Sequence, residues 1–189
     1  MSKNSNRIFV VFISLAIFVG LWSYLMFSFG PNTFVETLGQ NNSYLIGFLV
    51  ALFGGVSTFT SASFYVTIST LIAGGLNPLT LGLLVGIALF IGDSFFYYFG
   101  LTGKKLISNY ETGFIGRFSK WLNSHHGIVV PSITYLYIGL TPLPNDILMF
   151  ALSFGNYSYK KIILPIILGN LTFGLLISYS FYYGFNFFG

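Results

Sequence analysis

Charged residues are almost absent from this chain. Between Ile8 and Gly103 the only ones are Glu36 and Asp93, and none follows Lys161. Charged residues make up 6% of the 189 positions, whereas a soluble domain carries about 25%. A water-facing surface cannot be built at that density, so the sequence predicts an all-α integral membrane protein. The eight cations separate apolar segments and form no basic face, so we expect no nucleic-acid partner.

The apolar runs divide the chain into an N-terminal region and a larger domain. In residues 1–43, the run 8–27 predicts an N-terminal transmembrane helix, which an external polar loop follows. The run is longer than a signal-peptide core, and no A-x-A cleavage site follows it. In the domain, residues 44–189, the pattern predicts five segments: a re-entrant hairpin at 44–75, a transmembrane helix at 76–100, a cytoplasmic amphipathic segment at 104–126, a second re-entrant hairpin at 127–157 and a transmembrane helix at 160–184.

Each predicted hairpin has two short apolar arms on either side of a polar break. The arms of the first, 44–55 and 64–75, flank V-S-T-F-T-S-A-S, and the break of the second is T-P-L-P-N-D, from Thr141 to Asp146. An arm of the first hairpin, as a helix, reaches roughly 18 Å, which is near the midplane of a ~30 Å hydrocarbon core. A chain that enters and returns on one side therefore fits better than a straight span.

The positions of the cations support this layout. With the N-terminus in the cytoplasm and both hairpins re-entrant, all eight cations lie on the cytoplasmic side. If both interrupted stretches crossed the membrane instead, the cations between residues 104 and 120 would lie outside. The positive-inside rule therefore predicts a multi-pass protein of the cell membrane with a cytoplasmic N-terminus.

An offset of 81 positions superimposes the two hairpins. Thr60 then corresponds to Thr141, and Gly74 corresponds to Gly155. In each unit a broken hairpin is followed by a glycine and a crossing helix. Because the two units have opposite orientations in the predicted topology, the sequence predicts an inverted-topology repeat. That plan places a transport site between two broken segments near the midplane.

Two motifs carry a resemblance to a known family. I-G-D-S-F-F-Y-Y-F-G-L-T-G, at residues 91–103, is similar to G-D-x-x-x-Y-x-x-G-R-x-x-G, and G-L-T-P-L-P-N-D, at residues 139–146, is similar to R-x-[ST]-P-x-x-P-N. Over residues 45–184 the chain resembles the DedA family, also called the VTT or SNARE-associated Golgi protein family. The first motif matches at Gly92, Asp93, Tyr97 and Gly100, with Gly103 one position early.

The resemblance implies both a fold and a function. The family's fold has two facing re-entrant hairpins with crossing helices behind them, and its members are linked to flipping or scrambling of phospholipids and polyprenyl phosphates. The resemblance thus implies lipid transport, with membrane lipids as the partners. The chain departs from the family pattern where Leu101 and Gly139 replace arginines, and where the first hairpin holds no acid.

Asp93 lies within a predicted crossing helix. An ionised carboxylate costs on the order of several kcal/mol in hydrocarbon. We therefore expect Asp93 to be neutral, to lie in a wet cavity, or to be hydrogen-bonded to Ser or Tyr hydroxyls. Two roles stay open: a contact to a proton or a lipid headgroup, and a structural clamp onto the facing hairpin.

Asp146 lies where the second arm of the second hairpin should begin. Pro142 and Pro144 suit the start of that helix, where a missing N–H is harmless. Asn145 or Asp146 can cap its free N–H groups, and Gly155 suits its end. A half-helix N-terminus at the midplane also favours an anionic headgroup. Asp146 is therefore either a helix cap or a substrate contact.

The candidate residues lie around the two breaks and in the crossing helix between them. The candidates for substrate or ion binding are Asp93, Tyr97, Thr141, Pro142, Pro144, Asn145, Asp146, Thr58, Thr60 and Ser61. The candidate structural glycines are Gly92, Gly100, Gly103 and Gly155. Gly82 and Gly86 in the same crossing helix suit close helix packing.

Three functions stay open from the sequence: a lipid transporter acting as flippase or scramblase, an ion-coupled small-solute transporter, and a non-transporting membrane organiser. We expect no enzyme, because no Ser–His pairing and no H-E-x-x-H motif occurs. We also expect no cofactor and no metal site, since the adjacent His125 and His126 are the only histidines. Self-association into a homo-oligomer is compatible with the sequence.

Overall fold

Seven helices have bounds within the described part of the chain, which contains no strand. The computed structural model describes residues 31–55, 61–103, 117, 120–121, 124 and 127–188. The helices are α1 (Pro31–Leu38), α2 (Gln40–Gly54), α3 (Ser61–Ala73), α4 (Pro78–Gly103), α5 (Val129–Leu140), α6 (Asn145–Phe154) and α7 (Tyr159–Phe188). The all-α class is confirmed. The predicted N-terminal helix, His125, His126 and most of the predicted amphipathic segment lie outside the described residues.

α4 and α7 are the two described helices that are long and apolar enough to cross a membrane. They occupy the places of the predicted transmembrane helices at 76–100 and 160–184 and extend further toward the C-terminus. Asn77 caps α4, because its Oδ1 accepts hydrogen bonds from Leu79 N at 2.9 Å and from Thr80 N at 3.1 Å. Pro78 then occupies the first helical position, where proline is tolerated.

The sequence predicts a polar loop after the first apolar run, but residues 31–38 of that loop form the helix α1. Pro31 stands at the first helical position of α1. Val35 is 4% exposed and packs into the core formed mainly by α2, α3 and α4, so tertiary burial stabilises a helix in a polar segment. Gly39, with a φ of 77°, separates α1 from α2.

The four short helices flank the two predicted breaks. α2, α3, α5 and α6 have 15, 13, 12 and 10 residues, fewer than the about 20 that a span needs. The second break, at residues 141–144, lies where the sequence predicts it. The first break is shorter than predicted because Ser61 and Ser63 belong to α3. Residues 56–60, which include Thr58 and Thr60, lie outside the described residues.

The two long helices pack against each other, and each also packs against two short helices, one from each half of the chain. α4 packs against α2 and α6, while α7 packs against α5 and α3. Two apolar cores result. Phe64 and Leu81 lie in the first core, and Leu148 and Ile166 lie in the second. The packing of α4 against α2 and α6 therefore corresponds to the packing of α7 against α5 and α3.

The turns that follow α3 and α6 have the same hydrogen-bond pattern at an offset of 81 residues. Three backbone hydrogen bonds follow α3, from Gly74 N to Thr70 O, from Gly75 N to Ile72 O and from Leu76 N to Leu71 O. The corresponding three follow α6, from Gly155 N to Ala151 O, from Asn156 N to Ser153 O and from Tyr157 N to Leu152 O. The left-handed residue is Gly75 in the first turn, with φ 90°, and Asn156 in the second, with φ 53°. Gly155 follows the end of α6 as predicted, but its own φ is −71°.

The contact between α4 and α7 depends on glycines that let the two backbones approach. A Cβ added at Gly86 would lie 2.8 Å from Leu171 Cα and 2.9 Å from Asn170 O. A Cβ added at Gly82 would lie 2.9 Å from Gly174 O. These positions have no room for a side chain, so the predicted close packing at Gly82 and Gly86 is confirmed.

Gly86→Ala is expected to lower the melting temperature of the purified protein in detergent, because the new methyl group must push α4 and α7 apart. Overpacking of this kind costs about 1–3 kcal/mol. Gly184→Ala is the matched control in α7, since nothing in the described part of the chain lies within 4 Å of its added Cβ. The control should melt at the wild-type temperature or slightly above it. Equal melting temperatures for the two variants would contradict the packing role.

Candidate functional site

Asp93 is buried in α4 and is hydrogen-bonded to side chains of two other helices. Asn145 Nδ2 donates to Asp93 Oδ2 at 3.0 Å, and Asn170 Nδ2 donates to the same oxygen at 2.8 Å. The three residues are 5%, 2% and 0% exposed. We call Asp93, Asn145 and Asn170 the polar cluster, and it joins α4, α6 and α7. The sequence offers Ser or Tyr hydroxyls as one possible set of partners for this carboxyl group, and the partners observed at Oδ2 are two amides.

The break before α6 places Asn145 beside Asp93. Thr141 Oγ1 donates to Tyr137 O at 2.5 Å at the end of α5, and Tyr137 Oη donates to Pro144 O at 3.0 Å. Pro144 is extended, with φ −61° and ψ 116°, and turns the chain into α6. The structure thus gives Thr141 and Pro144 local contacts that shape the break, and it leaves Pro142 exposed.

Asn145 is not the helix cap that the sequence suggests. The N-cap position of α6 is occupied by Pro144, and Asn145 is the first helical residue. Its amide nitrogen donates to Asp93, and its amide oxygen makes no capping bond. Asp146 is 8% exposed, and its Oδ1 accepts a hydrogen bond from Ile147 N at 2.9 Å in the first turn. The helix-terminus role that the sequence leaves open for Asp146 therefore has a contact in the structure.

Asn170 is absent from the residues predicted from the sequence. It lies within α7 in the run I-I-L-G-N-L, and its Nδ2 also donates to Ile166 O at 3.0 Å. A polar side chain inside an apolar membrane helix is costly and usually faces a polar partner. That rule, applied to an asparagine as it was to the acids, would have found this residue.

Two amide oxygens of the polar cluster lack a donor. Asn145 Oδ1 and Asn170 Oδ1 are buried and accept no hydrogen bond from any described residue. A buried acceptor without a partner costs about 1–3 kcal/mol. The cluster is therefore satisfied at the Asp93 oxygen and unsatisfied at both amide carbonyl groups.

A cavity of about 20 Å³ lies beside Asp93, between α4 and the C-terminal end of α2. Its described lining includes Gly92, Leu89 and Gly54. A Cβ added at Gly92 would lie 3.1 Å from Leu52 O, so glycine permits the approach of α2 to α4 at this point. A water molecule needs a cavity of about 10–15 Å³ or more. One water molecule therefore fits next to the carboxyl group.

Tyr97 and Gly100 fix the C-terminal half of α4 to the end of α6. Tyr97 Oη donates to Tyr157 O at 2.6 Å, and the residue is 3% exposed. A Cβ added at Gly100 would collide with the Ser153 side chain. Both residues thus have structural contacts outside the polar cluster. Gly103 has no described atom near the position of an added Cβ.

Two apolar grooves open on the outer surface of the helices. One groove, of about 410 Å³, lies between α5 and α7, and its lining includes Tyr135 and Pro165. The other, of about 360 Å³, lies between α2 and α3, and its lining includes Phe53 and Thr67. Both are lined mainly by apolar side chains with a few hydroxyl groups, a surface suited to hydrocarbon.

Comparisons with protein-family models, with curated proteins and with solved structures find no match for this chain. The resemblance to the DedA family consequently rests on the two sequence motifs. The function must be inferred from the polar cluster, the cavity and the grooves themselves.

Tyr97→Phe is expected to destabilise the protein by about 1–3 kcal/mol, because it leaves the buried Tyr157 carbonyl group without its donor. Tyr98→Phe is the matched control, since Tyr98 is the next residue and is 52% exposed. Thermal unfolding in detergent should show a lower melting temperature only for Tyr97→Phe. If both variants melt with the wild type, the bond to Tyr157 O does not stabilise the fold.

Proposed function

We propose that this chain is a multi-pass protein of the cell membrane that moves lipids between the leaflets, as a flippase or a scramblase. The observation that carries the proposal is the polar cluster, in which one acid and two amides from three helices meet inside an apolar bundle. Ionisable residues within membrane helices are costly, and they mark substrate or ion pathways. The proposal assigns transport and no enzyme reaction, and it takes lipids as the partners.

The two outer grooves support lipid as the substrate. A lipid that changes leaflets exposes its headgroup to a polar site while its acyl chains stay in contact with apolar surface. The polar cluster supplies the first environment, and the grooves between α5 and α7 and between α2 and α3 supply the second. The resemblance of two motifs to the DedA family favours the same substrate class.

The ends of two short helices are the elements that must move for a headgroup to reach Asp93. All three residues of the polar cluster are at most 5% exposed, so the site is closed in this structure. α6 begins at Asn145, and α2 ends at Gly54 beside the cavity, so both helix ends border Asp93. A displacement of the start of α6 would open the cluster, and a displacement of the end of α2 would widen the cavity beside Asp93. Neither movement would break the contact between α4 and α7.

We also propose that the two halves form an inverted-topology repeat with re-entrant hairpins. The matched turns at an offset of 81 residues support this arrangement, as do the matched packing partners of α4 and α7. In such repeats the transport site lies between two broken segments. The position of Asp93 between the end of α2 and the start of α6 agrees with that plan.

An ion-coupled small-solute transporter is the second candidate. The observation that favours it is the small cavity beside Asp93, which is more enclosed than the grooves and has room for one water molecule. A solute pathway would use this interior space and would not need the outer grooves.

Reconstitution into liposomes that carry fluorescent phospholipid or polyprenyl phosphate tests the lipid proposal. Wild-type protein should exchange lipid between leaflets faster than protein-free liposomes. Asp93→Asn removes the carboxyl group of the cluster, and Asp146→Asn removes the neighbouring one. Hydrogen bonds to charged groups contribute about 1.5–3 kcal/mol, so exchange should fall by about tenfold or more in Asp93→Asn.

Glu36→Gln is the matched control, because it makes the same change at an exposed acid in α1. It should exchange lipid as fast as the wild type. Wild-type exchange no faster than in empty liposomes, for every lipid tried, would rule out the lipid proposal. Exchange that is equal in wild type, Asp93→Asn and Asp146→Asn would leave lipid transport in place and refute the site.

Single cysteines test the topology, since the sequence contains none. Re-entrant hairpins place Asn42→Cys and Thr80→Cys at the outer surface of the membrane and Ser158→Cys at the cytoplasmic surface, and all three positions are exposed. A membrane-impermeant maleimide added to intact cells should therefore label the first two and not the third. If the first interrupted stretch crosses the membrane, only one of the first two variants will be labelled.

A further inference from the structure

Two buried amide oxygens of the polar cluster have no hydrogen-bond donor, which indicates that the cluster binds a ligand. Asn145 Oδ1 and Asn170 Oδ1 belong to residues that are 2% and 0% exposed, and no described residue donates to either oxygen. A purely structural clamp would be more stable with these acceptors paired. Both amides nevertheless face the Asp93 carboxyl group.

A half-turn of each amide changes the chemistry of the cluster from donor to acceptor. Rotation by about 180° about the terminal side-chain bond exchanges the NH₂ group with the carbonyl oxygen. The Asn170 oxygen would then lie between Asp93 Oδ2 and Ile166 O, which are now 2.8 Å and 3.0 Å from its Nδ2. The Asn145 oxygen would likewise face Asp93 Oδ2, now 3.0 Å from its own Nδ2. Oxygen atoms this close repel one another unless a proton or a metal ion lies among them, and a single proton on Asp93 could join only one pair of these oxygens.

We propose that the polar cluster binds one sodium ion through Asp93 Oδ2, Asn145 Oδ1, Asn170 Oδ1 and Ile166 O. All four ligands are oxygens, which hard cations prefer. One carboxylate matches one positive charge, and the resulting pair is neutral, which lowers the cost of an ionised acid in an apolar interior. The C-terminal end of α2 beside the cavity adds the negative end of a helix dipole, which also favours a cation.

The number and charge of the ligands favour sodium over other common cations. Calcium takes about 6–8 oxygen ligands and usually several carboxylates, whereas Asp93 is the one acid in the cluster. The carboxylate of Asp146 turns to Ile147 N in its own helix. The short distances among the ligand positions, 2.8–3.0 Å, suit the small sodium ion better than the larger potassium ion. The cavity of about 20 Å³ has room for one water molecule as a further ligand.

Sodium binding would also change the contacts among the helices that surround the site. In this structure the amides of α6 and α7 donate to the carboxyl group of α4, whereas in the sodium-bound state they would bind the ion. Coupling of this change to lipid movement rests on the proposed function. Binding itself does not, so it is measured on purified protein in detergent without a transport assay.

Saturable binding of radioactive sodium and the melting temperature in sodium chloride are the two measurements. Wild-type protein should bind one sodium ion per chain, and it should melt at a higher temperature in sodium chloride than in potassium chloride of equal concentration, since a ligand of the folded state stabilises it. Asn145→Ala and Asn170→Ala each remove one ligand. Each should weaken sodium binding by about tenfold or more, and Asp93→Asn should abolish it.

Ser178→Ala is the matched control, because Ser178 lies in α7 with Asn170, is 0% exposed and has a side-chain oxygen without a described partner. It should bind sodium as the wild type does. The proposal is overturned if wild-type protein shows no saturable sodium binding, or if sodium and potassium raise the melting temperature equally. It is also overturned if Asp93→Asn binds sodium with wild-type affinity. The wild-type comparison of the two salts decides the matter even where a variant fails to fold.

Discussion

A carboxyl group buried in an apolar helix bundle needs hydrogen-bond donors. Asp93 lies in α4, and its donors come from α6 and α7, so its burial links three helices. An unpaired buried acid is so costly that the surrounding structure must supply partners. Here the donors come from the first residue of α6 and from the middle of α7. The start of α6 and the register of α7 are therefore both fixed by hydrogen bonds to one oxygen atom of α4.

This arrangement is possible because glycines allow α4 and α7 to approach closely. Gly86 lies two helical turns before Asp93, and it faces the backbone of Asn170 and Leu171. A larger residue at Gly86 would move α7 away and would carry the Asn170 amide out of reach of Asp93. Gly92, one residue before the acid, permits the close approach of α2 and thereby borders the cavity. The glycines therefore act on the site through distance and not through contact with a ligand.

The short helix α6 brings a helix end into the polar cluster. A break in the chain at Thr141 to Pro144 lets α6 begin inside the bundle, where Asn145 can reach Asp93 from a helix end. A residue at a helix end moves more easily than one in the middle of a packed helix. The polar cluster joins one such end to two long helices, and its two amide oxygens accept no hydrogen bond from any described residue.

The sequence by itself determined the helical class, the two long apolar helices, the second polar break and the position of an acid, Asp93, within the first long helix. These features follow from local composition, because the length of an apolar run, the presence of prolines and the position of an isolated acid can each be read without knowledge of distant contacts. Only the tertiary structure decided that Asn145 turns to Asp93 instead of capping α6, that Asn170 completes the cluster, and that residues 31–38 form a helix. Each of those outcomes depends on a partner distant in the chain, whose presence no local pattern reveals. An asparagine can cap a helix with its amide oxygen or bind a carboxyl group with its amide nitrogen, and the position of a buried acid distant in the chain determines which role Asn145 takes.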